Sequence, residues 1–268
     1  MPQANDFLDE SEALHALIDP LSDERLGQPT AFKGWTINHV IGHLHVWNHA
    51  ADLSLEGDEA FQGFYKEVVS HMAAGGTLSS FERHWLKGLE GRALVKTWRE
   101  SFIEIAGRFG EADPSMRVQW AGPSMSVRSS ITARLMETWA HGQEVYDTLG
   151  VVRRNADRIR NIVVLGVNTY GWTFKVRGQE PPEPMPHLRL TGPSGELWTH
   201  GEPSEAEVIE GLAEEFCQVV TQTRNIADTA LQVTGPNAES WMRQAQCFAG
   251  PPETPPAPGQ RKTATLSR

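Results

Sequence analysis

The chain has 268 residues, 39% of them hydrophobic and 22% charged, a balance that suits one large folded domain or two modest ones and excludes wholesale disorder. Lys plus Arg number 24 against 34 Asp plus Glu, a formal net charge of −10, so the basic footprint of a nucleic-acid binder is missing. Apolar runs stop well short of the roughly 20 residues of a membrane helix, and the acidic opening MPQANDFLDE lacks the basic-then-apolar layout of an export signal.

In chain order, apolar residues at helical spacing (Phe7, Leu8, Leu14, Leu17, Ile18) predict a helix over 6–18, ended by Pro20. Thr36 then offers an N-cap to a long helix reaching about Gly57, with Ile37, Val40, Ile41, Leu44, Trp47 and Ala51 as its apolar stripe. Helical patterns recur over 59–73 and 79–110, interrupted by Gly75 and Gly76. After a loop at Ala121-Gly122-Pro123-Ser124, the cleanest helix runs from Ser126 to Leu149, with Gly150 placed as its C-cap, and a further one covers 154–175. Long helices with modest loops predict a bundle over 1–177.

The composition then changes. GQEPPEPMP at 178–186 cannot continue a helix and reads as a Pro-rich linker. Beyond it, HLRLTG-PSG-ELWTHG predicts a β-hairpin, followed by a helix over 204–222, a strand over 229–234 and a helix over 236–248. Residues 187–250 thus read as a small α+β domain, and the Pro-rich stretch 251–268 as a disordered tail. Cys217 and Cys247 lie outside any CxxC spacing and are expected to be free, buried thiols of a cytoplasmic protein.

Four of the ten histidines, His39, His43, His45 and His49, fall on the helix after Thr36. Pairs four apart can chelate a metal from one face, and His43 sits on the shoulder of the apolar stripe, while His45 and His49 are expected toward solvent. Glu137 and His141 occupy consecutive turns of one later helix, in a polar row with Arg134, Glu144 and Thr148. Read alone, they form either a weak surface pair or two ligands projected into the bundle. Two imidazoles and one carboxylate would make a three-ligand set that leaves a coordination position open, the layout of catalytic zinc.

The segment GWTINHVIGHL at 34–44 resembles the start of the second helix in the DinB-like metal-binding bundles, in the branch of mycothiol-dependent maleylpyruvate isomerase. In that branch a His-Leu two turns after Gly-Trp-Thr supplies the first metal ligand, which implies His43. A Glu and a His four apart supply the others, which Glu137 and His141 match in METWAHGQEVYD. The resemblance extends to VVTQTRNIADTALQVTG, where Arg224 stands in the place of a family arginine that faces the cleft, although its surroundings TQTRN differ from the usual aromatic-Gly-Arg. Helix-end capping is the plain alternative for Arg224.

The resemblance implies a zinc-dependent enzyme using a low-molecular-weight thiol, mycothiol or glutathione, as isomerase or S-transferase on a small electrophilic or unsaturated acid. Nickel, iron or manganese also satisfy such a donor set. A thiol-independent metal hydrolase, or a non-catalytic metal- or ligand-binding protein, are the alternatives. The partner implied is a small-molecule substrate, with no nucleic acid and no membrane, and homodimer assembly is allowed.

Overall fold

The computed structural model describes residues 1–261, and it is an α+β structure of two compact units that divide at Leu149 and Gly150. The first unit contains α1 (Pro2–Ile18), α2 (Asp23–Leu26), α3 (Ile37–Glu56), α4 (Asp58–Ala73), α5 (Leu78–Leu86) and α6 (Gly91–Glu111). A hairpin of β1 (Arg117–Trp120) and β2 (Gly122–Ser126) follows, then α7 (Val127–Leu149).

Helix α3 is the axis of the bundle. Thr36 caps it by accepting from the His39 amide at 3.1 Å. It packs against α6, α7, α4 and α5, and its residues from Val40 to Asn48 are all buried. With neighbours on every side it has no solvent flank, so His45, expected outside, is buried against Trp85. His49 is half-buried against the same indole. Gly42 makes the closest of these approaches possible, because a Cβ there would meet Leu86 Cδ1 of α5 at 2.8 Å.

Two local expectations change. The pattern over 79–110 breaks between α5 and α6, where Lys87 (φ 50°), Gly88 (φ 83°) and Gly91 (φ 61°) adopt left-handed backbone. The loop at 121–124 is part of the β1–β2 hairpin, whose Trp120 stacks on Phe61 at 5.7 Å and meets Trp47 edge-on at 5.8 Å.

The second unit begins with α8 (Arg160–Asn168) and α9 (Tyr170–Lys175), then β3 (His187–Thr191), β4 (Leu197–His200), β5 (Val208–Leu212), α10 (Ala213–Val220), β6 (Gln232–Thr234) and α11 (Pro236–Met242). Its sheet has the order β4-β3-β5-β6, with β3 and β5 parallel and the other pairs antiparallel. Residues 150–177 therefore belong with the sheet, not with the bundle. Gly166 of α8 shows why: the site of its missing Cβ lies 2.9 Å from the Phe216 ring of α10, a contact that seats one helix directly on the other.

Three further expectations are corrected. Residues 208–212 form β5 instead of the first part of a helix over 204–222; Ser204 Oγ accepts from the amides of Ala206 and Glu207 in a turn, and the helix starts only at Ala213. The stretch at 178–186 is packed, with Pro186 buried, Pro182 O accepting from Tyr170 Oη and Pro184 O from Asn237 Nδ2. Residues 251–261 are likewise docked: Glu253 O accepts from Arg177 and Gln222, Pro256 O accepts from Asn225, and Pro256 is buried. The remainder of the expected tail, 262–268, lies outside the described residues.

Candidate metal centre

Helices α3 and α7 pack together and bring His43, Glu137 and His141 to one point, with all three donor atoms within 4.8 Å of one another. His43 Nε2 lies 3.7 Å from Glu137 Oε2, and His141 Nε2 lies 3.3 Å from the same oxygen. A tetrahedral zinc with ligands at about 2.1 Å has donor–donor edges of roughly 3.4 Å, so the trio fits a divalent metal with minor adjustment. Among the described residues this is the one His, Cys, Asp and Glu cluster of that kind.

The surroundings specify the trio further. Trp35 stacks on His141 with centroids 5.6 Å apart and on His39 at 4.0 Å, and Phe32 meets His141 edge-on at 5.2 Å. The loop carrying both aromatics is pinned by Thr30 N to Trp35 O at 2.7 Å and Ile37 N to Gln28 O at 3.1 Å. Trp35 therefore forms a wall of the site. Trp47 donates to the carboxylate of Glu82 at 2.9 Å.

Glu82 was not legible as a site residue from its own segment. It is 1% exposed and accepts from His43 Nδ1 at 2.7 Å, with His39 Nε2 at 3.3 Å from its other oxygen. The available signal was a carboxylate on the apolar face of α5, where Leu78, Phe81 and Trp85 occupy the neighbouring helical positions. Arg134, read in one polar row with Glu137 and His141, is buried; its Nε donates to Asn48 Oδ1 at 2.9 Å. Arg224 lies in the second unit, 1% exposed, with Nη1 donating to Thr223 O at 2.7 Å.

Electrostatics divide the imidazoles. Burial opposes a charge on His43, but Glu82 and Glu137 outweigh it and lift its pKa to about 9. Burial pushes His141 down, and its bond to Glu137 does not reverse that. Burial likewise works against ionised Glu82, yet His43, His39 and Trp47 hold it at about 2; the histidines hold Glu137 well below the usual carboxylate range. The site therefore keeps two anionic carboxylates beside its ligand nitrogens, an arrangement that favours a cation.

Residues 7–146 match the family described as the mycothiol maleylpyruvate isomerase N-terminal domain. The uncharacterized Mycobacterium tuberculosis protein Rv0036c of strain H37Rv, and its counterpart MT0041 of strain CDC 1551, are each 37% identical over 251 residues, 94% of this chain and 96% of theirs. The crystal structure of the mycothiol-dependent maleylpyruvate isomerase superposes with a TM-score of 0.52 at 16% identity, covering 81% of this chain and 87% of that one. A histidine-to-alanine mutant of that enzyme superposes equally well. By the family model, which spans more than half of its length, this chain belongs to the mycothiol maleylpyruvate isomerase family of DinB-like bundles.

Proposed function

We propose that this protein is a cytoplasmic, zinc-dependent enzyme that uses a low-molecular-weight thiol, mycothiol foremost, either to isomerise a small unsaturated acid or to transfer the thiol to a small electrophilic one. The observation that carries the reading is the incomplete ligand set. His43, Glu137 and His141 converge, while the two polar side chains able to supply a fourth ligand from α3 are engaged elsewhere, His39 with Glu82 and Asn48 with Arg134. A three-ligand site with an open position suits catalysis better than storage.

When bound there, a divalent metal supplies a Lewis-acidic position that favours a thiol sulfur as thiolate near neutral pH. The chain's own residues do the rest. Trp35 and Phe32 cover one side of the trio with apolar surface and limit water there. Addition of the sulfur to a cis double bond, rotation about the resulting single bond and elimination of the same thiol yield the trans acid, with no net gain or loss of atoms. Attack on an electrophile with a leaving group gives an S-transferase from the same start. Arg224 takes the role of carboxylate anchor that the family resemblance gives it, through a two-donor contact.

Metal analysis of the purified protein, followed by turnover assays on a panel of cis-enoyl acids with mycothiol, glutathione or no thiol, tests the proposal. About one zinc per chain and strictly thiol-dependent turnover are expected. Thiol-independent cleavage of esters or amides would replace it with the hydrolase reading, and tight metal binding without any turnover would favour a binding protein.

A further inference from the structure

Glu82 does more than its place on α5 requires. Its Oε1 accepts from His43 Nδ1 at 2.7 Å and from Trp47 Nε1 at 2.9 Å, and its Oε2 lies 3.3 Å from His39 Nε2. A carboxylate 1% exposed is costly to bury and persists only when its lone pairs are taken. Three partners from three successive turns of α3 take them. An ion takes the imidazole in its neutral form, with one N–H, so a Nδ1–H kept on Glu82 leaves the lone pair on Nε2, the nitrogen that faces Glu137.

We infer that Glu82 is the positioning residue of the metal centre: it selects the His43 tautomer and ring orientation that present Nε2 to the ion, while Trp47 and His39 stop the carboxylate from turning away. The inference rests on the metal reading above and goes beyond it, because it assigns control of metal retention to a residue that is not a ligand. It also gives His39 a duty, as a brace for Glu82 and not as a fourth ligand. The competing role is structural, with Glu82 merely tying α5 to α3. That role would lower the melting temperature of the metal-free protein and leave metal retention alone.

The full-length chain loaded with Co2+ separates the two roles, through its visible ligand-field bands and its rate of metal release to excess chelator. In Glu82→Gln the amide still fills the space but is a weaker acceptor, and release about ten-fold faster or more is expected, with shifted bands. Release within two-fold of the parent and unshifted bands would overturn the inference, whatever the melting temperature does. Should Glu82→Gln fail to fold, Trp47→Phe and His39→Gln each remove one brace; release a few-fold faster supports the inference, and parental rates in both overturn it. A parent chain that takes up no Co2+ overturns the metal reading itself, a failure recognisable before any variant is made.

Discussion

The histidines of α3 differ in their surroundings, and substitution distinguishes them. His43→Ala, Glu137→Ala and His141→Ala should each abolish stoichiometric metal, measured by elemental analysis after gel filtration, whereas His45→Ala and His49→Ala should retain it. His45 should instead contribute to the loss of stability in acid. Burial, helped by His49, lowers its pKa to about 4, and its Nδ1 is buried without a hydrogen-bond partner. The unfolded chain takes up a proton at this residue near pH 6.5 that the folded chain refuses, so its contribution is complete above that pH and is lost as pH falls toward 4. The loss amounts to about 3 kcal/mol at most. His45→Phe keeps the ring and should flatten the fall in unfolding free energy between pH 7 and pH 4.5; parallel curves for parent and variant would refute this account. Arg224 is tested by its conservative replacement. As a carboxylate anchor, Arg224→Lys should cost nearly as much kcat/KM as Arg224→Ala, on the order of 2–4 kcal/mol with metal content intact, because Lys lacks the two-donor fork. A helix-end role predicts normal turnover in the Lys variant. The convergence of His43, Glu137 and His141 was readable because the i, i+4 spacing and the GWTINHVIGHL segment are local in sequence. Glu82 was not, because its three partners lie on another helix and only the fold brings them together.

At the scale of elements, the long helices followed from periodicity, while β5 did not. Residues 204–216 are rich in Glu and Ala and suit a helix, yet Val208 to Leu212 pair with β3 on one side and, through Val208 to Glu210, with β6 on the other. Tertiary pairing overrode local propensity there. A two-sided strand also needs tight packing at its ends. Gly235 opens α11 at φ 96°, and a Cβ on it would sit 2.2 Å from Ala206 O just before β5. Gly235→Ala should therefore destabilise the second unit by roughly 2–3 kcal/mol, read as a lower denaturant midpoint. Gly195→Ala is the control. It shares the left-handed backbone (φ 87°) but meets nothing within 4 Å, so it should cost only about 1 kcal/mol. Equal losses in the two variants would show that the close approach to Ala206 carries no weight.

For the molecule as a whole, the two compact units each own a core, and among the described residues no helix is long and apolar enough to cross a membrane. The division near residue 150 could not be read from sequence, because 154–175 looks as helical as the bundle and only its packing on α10 assigns it. The docked stretch 251–261 was equally illegible, since composition alone suggests nothing to bury. Its anchors are mainly backbone carbonyls received by Arg177, Gln222 and Asn225, which hydropathy does not register. Truncation after Gly250 should lower the melting temperature measurably by leaving those donors and the Pro256 pocket unfilled. An unchanged melting temperature would mean that the stretch contributes no stability.

The packing of α1 against α7 has a consequence for a chain emerging from a ribosome. The bundle is closed by its first and last helices, so it cannot complete until α7 has cleared the exit tunnel. The second unit waits longer, because α8 must find α10, which follows three strands later, and 253–256 must arrive to satisfy Arg177 and Asn225. His43, Glu137 and His141, the candidate ligands, all belong to the first unit. Should the trio hold an ion, a chain made as far as Leu149 already carries every residue of that site while the remainder is still being made.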